Sequence, residues 1–348
     1  MKKLTFLFVA LVAASAAYAK EVMPVAETVE ITPKLKVESM GAFVDYYNLD
    51  VDVDVDSENV DTDLDRSEYG ITTKLSYGPD WTFNILASST SISGIGDLAD
   101  EIGLSGINND FSSYSSKLQV EAWRHYDNYS IGAKWAHGNN LDDFEFFTTV
   151  AGDAWRQDVL SLRGSYHYPL MDGELCGWAD LKYGIINDTL TSLGLSVGDV
   201  ESDPEYYEIE GMPLAYKYGP VTFGYYMKYR EFTNFYDTEM TEQQLRLSAN
   251  LYQNEKMSVY GEYRYGLKME VKGDLAEIYF DDDKVLSSGD RQQFVLGANY
   301  LLSENLILNG EISYQILKYD VDLVDEDYTS LDGDFKETKV GVALTYLF

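Results

Sequence analysis

The fold class the sequence predicts is all-β, a transmembrane antiparallel β-barrel of about 14 strands with short periplasmic turns and long extracellular loops. Three observations predict it. The chain ends on a strand in which Val340, Val342, Leu344, Tyr346 and Phe348 form a wholly apolar parity against Lys339, Gly341, Ala343 and Thr345. That is a period-2 pattern with one face made for an apolar medium. At the other end, Lys2 and Lys3 precede an apolar run from Leu4 to Ala14 and the small-residue close Ala17-Tyr18-Ala19, which reads as a secretory signal peptide over 1–19. Between the two, strand-like runs recur, separated alternately by tight turns and longer polar stretches.

Residues 20–33, with Pro24 and Pro33 and no periodicity, read as a periplasmic N-terminal tail. From 34 to 348 the pattern is that of a single barrel. Tight turns are expected at Gly78-Pro79-Asp80, Tyr126-Asp127-Asn128, Pro169 to Glu174, Gly219-Pro220, Gln253-Asn254-Glu255 and Ser303-Glu304-Asn305, each rich in residues that favour turn geometry. Longer loops are expected near 48–67, 92–113, 138–158, 187–206, 231–242, 267–290 and 316–336. Hairpins joined in this way give an even strand number with both termini on one side.

The faces agree from strand to strand. Tyr69, Ile71, Thr73, Leu75 and Tyr77 alternate with Gly70, Thr72, Lys74 and Ser76; Leu118, Val120 and Ala122 alternate with Lys117, Gln119 and Glu121. Met212, Leu214, Tyr216 and Tyr218 are read as one apolar face that continues through Gly219-Pro220 into Val221, Phe223 and Tyr225. In the first strand Leu35 and Val37 share a parity that Met40, Ala42, Val44 and Tyr46 do not, so a bulge or a late start is expected there. Rings gather at the ends of the apolar faces: Tyr77, Trp81, Tyr129 and Tyr218 beside tight turns, Tyr69, Tyr114, Trp135 and Tyr314 beside long loops. Two such belts imply a lipid slab between them.

Composition bounds the function. The formal charge of −33 excludes nucleic acid as a natural partner, and loss of Lys2 and Lys3 with the signal makes the remainder more acidic still. The 29 Tyr suit amphipathic girdles. After the signal no stretch approaches the roughly 18 apolar residues of a membrane helix. One cysteine, Cys176, permits no internal disulfide.

The last strand, closing on aromatic-x-Phe, resembles the assembly signal of Gram-negative outer-membrane β-barrels. The resemblance implies that Tyr346 and Phe348 are read by the barrel-assembly machinery and that the partners are outer-membrane lipid and small hydrophilic solutes, with a monomer or trimer as the assembly. The segment Ala19-Lys20-Glu21-Val22-Met23-Pro24 resembles the start of mature fusobacterial outer-membrane porins, which suggests a lineage and carries no functional residue.

Chemistry on the chain is sparse. His125, His137 and His167 stand on separate strands without a recognisable Ser-His or Asp-His motif, so no enzymatic role and no cofactor is expected. Asp52, Asp54, Asp56 and Glu58 form a weak metal candidate, since hard divalent cations favour clustered carboxylates. However, a calcium-hand loop from Asp52 needs Gly where Ser57 stands and Glu where Asp63 stands, and a solvated acidic loop is the simpler account. Phe144, Phe146 and Phe147 are candidates for a constriction or for packing among loops.

A barrel of about 14 strands exceeds the eight that close around packed side chains, which predicts a water-filled pore for passive diffusion of small hydrophilic solutes. The alternatives are a barrel that displays loops as an adhesin and a channel specific for acidic oligosaccharides. If the polar parities face inward, the wall carries Lys74, Lys117, Lys134, Arg163, Lys182, Lys217, Lys228, Arg230, Arg246, Arg264 and Lys339. Glu121, Asp180, Glu262 and Glu311 are the acids read as opposing them. Two outcomes stay open: a basic bore that favours anions, or a wall whose bases pair with acids and select weakly.

Overall fold

The computed structural model describes residues 34–55, 58–93, 113–138, 155–188, 205–233, 239–272, 291–322 and 330–348. Residues 1–33, which carry the expected signal peptide and tail, lie outside these residues, as do Asp56, Phe144, Phe146 and Phe147. So do the side chains of Asp54, Glu58 and Tyr114.

Alternation along the chain produces strands β1 (Leu35–Val55), β2 (Glu58–Tyr77), β3 (Trp81–Ser93), β4 (Ser113–His125), β5 (Tyr129–Gly138), β6 (Trp155–Leu170) and β7 (Gly173–Asp188). The second half adds β8 (Glu205–Tyr218), β9 (Val221–Thr233), β10 (Glu239–Gln253), β11 (Met257–Lys272), β12 (Arg291–Ser303), β13 (Leu306–Asp322) and β14 (Ser330–Leu347). Each strand pairs with its sequence neighbours and β1 closes on β14, giving a sealed antiparallel barrel of 14 strands. Closure leaves no exposed edge, which is the condition for strands to survive in hydrocarbon.

The tight turns fall where the sequence places them. Gly78 and Gly219 have φ of 64° and 55°, the left-handed region that glycine adopts without steric cost. At Gly219 an added Cβ would touch nothing, so conformation alone selects glycine there. The turn expected across Pro169 to Glu174 is tighter than that, only Met171-Asp172, with Leu170 paired to Gly173.

The outer surface is apolar. Ile71, Leu160, Leu296 and Val342 project outward with relative exposures between 49% and 58%. Trp81, Tyr77, Tyr129, Tyr218 and Tyr300 edge this surface at the short-turn end, and Tyr46, Tyr69, Trp135 and Tyr314 edge it at the other. From Tyr69 to Tyr77 on β2 the rings stand roughly 26 Å apart along the strand at about 3.3 Å per residue, a span that matches a tilted crossing of the hydrocarbon core. Exposed Leu, Ile and Val on this scale are stable only against lipid.

The bulge expected in β1 lies between Val37 and Ser39 against β2. It turns both Val37 and Met40 outward, at 40% and 46% exposure, which explains the broken parity.

Two readings are corrected. Strand structure continues through most of the first expected loop: β1 runs to Val55 and β2 resumes at Glu58, with Asp52 opposite Asp61 in register. The alternating Val51, Val53 and Val55 sustain the extended backbone that the acids between them obscure. The last loop is shortened in the same way, by β13 running to Asp322 and β14 starting at Ser330. The second correction is Met212, read as outward with Leu214. Register shifts between Gly211 and Leu214, and between Cys176 and Trp178, place a bulge here. Pro213, which has no N–H for the ladder, explains it. Met212 turns inward, its sulfur lying where a Cβ on Gly224 would stand.

Candidate functional site

The inward face is built from the residues that alternate with the exposed apolar set. Every base and acid named for the wall from the sequence stands on that inward parity: Lys74, Lys117, Lys134, Arg163, Lys182, Lys217, Lys228, Arg230, Arg246, Arg264, Lys339, Glu121, Glu262 and Glu311. What the sequence reading missed is how many more acids join them.

From β4 to β9 the side chains form two ion-paired clusters, one around Arg163 and one around Glu208. Arg163 on β6 pairs with Glu121 on β4 and, through Nε at 2.8 Å, with Asp180 on β7. Glu121 also accepts hydrogen bonds from Asn84 at 3.1 Å and from the Trp123 indole at 3.2 Å. Lys182 donates to Glu208 at 2.6 Å and to Glu210, both on β8. Glu208 is shared further with Arg230, whose Nε lies 2.6 Å away, and with Lys228 at 3.9 Å. The Tyr226 hydroxyl donates to Glu210 at 3.1 Å, and the Arg246 guanidinium lies 3.5 Å from the Tyr226 ring centroid.

Further pairs and clusters follow around the barrel. Arg246 donates to Gln244 at 2.9 Å, Gln244 to Glu242, and Arg291 on β12 pairs with Glu242. Arg264 pairs with Glu262. Across the closing seam Lys339 reaches Asp45 at 3.1 Å and Glu311 at 3.5 Å, while the Tyr260 hydroxyl donates to Glu311 at 2.6 Å. Paired charges of this kind gain electrostatic energy and remain hydrogen-bonded, whereas an isolated charge at such burial is costly.

The wall is therefore nearer neutral than Glu121, Asp180, Glu262 and Glu311 alone suggest. Asp45, Glu208, Glu210 and Glu242 also face inward. They were missed because they adjoin or fall in segments read as loops, although the alternation of Glu208 and Glu210 about Ile209 was a visible signal. Among the described residues, Lys74, Lys117, Lys134, Lys217 and Arg246 have no carboxylate within ion-pair distance.

An apolar patch interrupts the polar wall toward the long-loop end. Ala136, Val159, Ile186, Tyr206 and Phe232 are buried together, with Met240 against them. Arg230 stacks over the Tyr206 ring at 4.6 Å.

The other candidates come out as follows. His125 is held by Thr82 at 2.8 Å and Ser130 at 2.9 Å. His137 meets Asp158 at 2.9 Å, an Asp-His pair made by the β5–β6 register that no linear motif reveals. Asp52 and Asp54 stand on β1, and no metal-binding group of acids, His and Cys occurs among the described residues. Tyr346 and Phe348 project outward, their rings edge to face at 4.9 Å, and the Phe348 amide donates to the Glu38 carbonyl.

No protein-family model matches the chain, and no curated protein does. Among solved structures, the Pseudomonas putida toluene transporter TodX is similar at 11% identity and a TM-score of 0.44, covering 90% of each chain. An outer membrane channel from Pseudomonas putida F1 is similar at 13% identity and a TM-score of 0.46, over 94% of this chain and 100% of that one. An anion-selective porin from Comamonas acidovorans is similar at 13% identity and a TM-score of 0.37, over 90% and 100%.

Proposed function

We propose that this protein is an integral outer-membrane porin of a Gram-negative cell, passing small hydrophilic solutes by passive diffusion. The observation that carries the reading is the division of the barrel into an exposed apolar exterior and a polar, ion-paired interior. A soluble barrel has the reverse arrangement. Fourteen strands lie between the eight that fill with side chains and the roughly 16 to 18 that leave an aqueous channel. The signal peptide and terminal aromatic-x-Phe agree with export and with the barrel-assembly machinery as a partner, and Ala19 to Pro24 agrees with a fusobacterial lineage.

Selectivity follows from the charges that the ion pairs leave over. Pairing cancels most of Arg163, Lys182, Arg230, Arg264 and Lys339, so strong anion selection is not expected. Lys117, Lys134 and Arg246, without carboxylate partners at ion-pair distance among the described residues, give a mild preference for anions.

Single-channel recording in a planar bilayer tests both parts. Stepwise conductance supports the channel, and its absence over a range of protein amounts overturns it. Under a salt gradient the reversal potential of the wild type should lie on the anion side and cross to the cation side in a Lys117→Glu, Lys134→Glu, Arg246→Glu variant. A cation-selective wild type, unmoved in the variant, would remove the selectivity reading.

A further inference from the structure

Beside the β4–β5 turn at the short-turn end lies a cavity of about 610 Å³, whose lining includes Asp80, Arg124, Tyr126, Asp127, Tyr129 and Tyr168. Arg124 is the informative residue. It shares the parity of Leu118 and Val120, which are exposed on the outer surface, and pairs across the strands with outward-facing Trp81. A cation on the lipid-facing side is costly at mid-membrane but tolerated at the interface, where lipid headgroups meet it. Among the described residues no carboxylate lies within ion-pair distance of Arg124. Its guanidinium instead lies 5.0 Å from the Tyr126 ring centroid and 5.8 Å from that of Trp81.

The cup is held before any ligand arrives. The His125 amide donates to the Asp80 carbonyl at 2.7 Å and the Tyr126 amide to the Tyr129 carbonyl at 2.9 Å. Tyr126 and Tyr129 stack with centroids 4.5 Å apart and planes at 15°. On the inner side His125 is pinned to Thr82 and Ser130. Charge is layered with depth: the cation sits on a strand at the level of the aromatic girdle, and the carboxylates of Asp80 and Asp127 sit on the turns, toward water.

The geometry points to a binding site for one zwitterionic phospholipid headgroup, its phosphate on the Arg124 guanidinium and its amine against the carboxylates of Asp80 and Asp127 on the turns. Arg matches phosphate oxygens in planar, paired hydrogen bonds, and an ammonium gains charge-assisted hydrogen bonds to carboxylates. The site rests on the membrane reading above. A soluble phosphate has the same anionic chemistry but neither amine nor acyl chains.

Native mass spectrometry of the full barrel in mild detergent tests it, with phosphatidylethanolamine, phosphatidylglycerol or inorganic phosphate as the added probe. Wild type should retain one phosphatidylethanolamine. Arg124→Gln should lower its occupancy about tenfold, the equivalent of about 1.4 kcal/mol for one charge-assisted contact, with conductance unchanged. Asp127→Asn should weaken phosphatidylethanolamine more than phosphatidylglycerol. Equal retention by wild type and both variants overturns the site and leaves the channel standing. Displacement of the lipid by millimolar inorganic phosphate reassigns the cup to a soluble anion and overturns the lipid. A wild type that does not enter liposomes overturns the membrane reading and this site together.

Discussion

Glu208 serves three cations, Lys182, Lys228 and Arg230, with its own side chain wholly buried. Removing its charge takes the shared anion from all three cations, with Glu210 still on Lys182, and breaking a buried ion pair costs on the order of 3–5 kcal/mol. Glu208→Gln is therefore expected to lower the unfolding free energy of the detergent-folded barrel, measured by urea titration, by an amount approaching that range. Lys318 pairs with Asp334 at 3.0 Å but its side chain is 57% exposed. Lys318→Ala should change that free energy by less than about 1 kcal/mol, and a change as large as that of Glu208→Gln would mean that burial does not set the hierarchy. The inward bases were legible because period 2 leaves little choice of face once the apolar parity is known. Their partners were not: Arg163 joins Glu121 and Asp180 across strands distant in sequence, and only the register brings those groups together.

Facing along a strand is testable on β4, where Leu118 is exposed to the outside and Gln119 alternates with it. Leu118→Lys places a charge in hydrocarbon at a cost of about 2–4 kcal/mol near the midplane, while Gln119→Lys enters the polar interior. Refolding yield into lipid vesicles should fall for the first and hold for the second; equal yields would reject the facing. The bulge of β1 was legible because its two outward parities are both apolar. The long arms of β1 and β2 were not, since a run of alternating Val and Asp looks like a solvated loop unless a partner strand is known to satisfy its backbone. Those arms rise beyond the belt marked by Tyr46 and Tyr69. Replacing residues 51–62 with a two-residue Asn-Gly turn is expected to leave folding yield and heat-modifiable gel mobility intact. Loss of the compact species would show that the arm holds the barrel together.

Across the whole molecule, strand number and closure were legible from turns and parity, because every strand of a barrel must obey the same alternation. The balance of charge inside was not, because the net acidity of −33 sums loops, arms and lumen without distinguishing them. Phe348 separates assembly from stability at this scale. It contributes one terminal hydrogen bond to Glu38 and one ring contact to Tyr346, so its deletion should lower the unfolding free energy of the refolded barrel by only about 1–2 kcal/mol and leave it folded. By the resemblance of its strand to the assembly signal, the same deletion should reduce surface levels in cells. Normal surface levels would remove the signal role.

The seam between β1 and β14 runs in unbroken register from Ser39 opposite Leu347 to Val55 opposite Leu331. The first and last strands are thus held by a ladder as long as that between β13 and β14, and Phe348 hydrogen-bonds to Glu38. Joining β14 to β1 by a short linker and cutting between Gly219 and Pro220 would give a circularly permuted chain with every ladder kept and a new beginning at β9. In such a chain the aromatic-x-Phe would sit inside the sequence, while the barrel it once ended would be the same barrel.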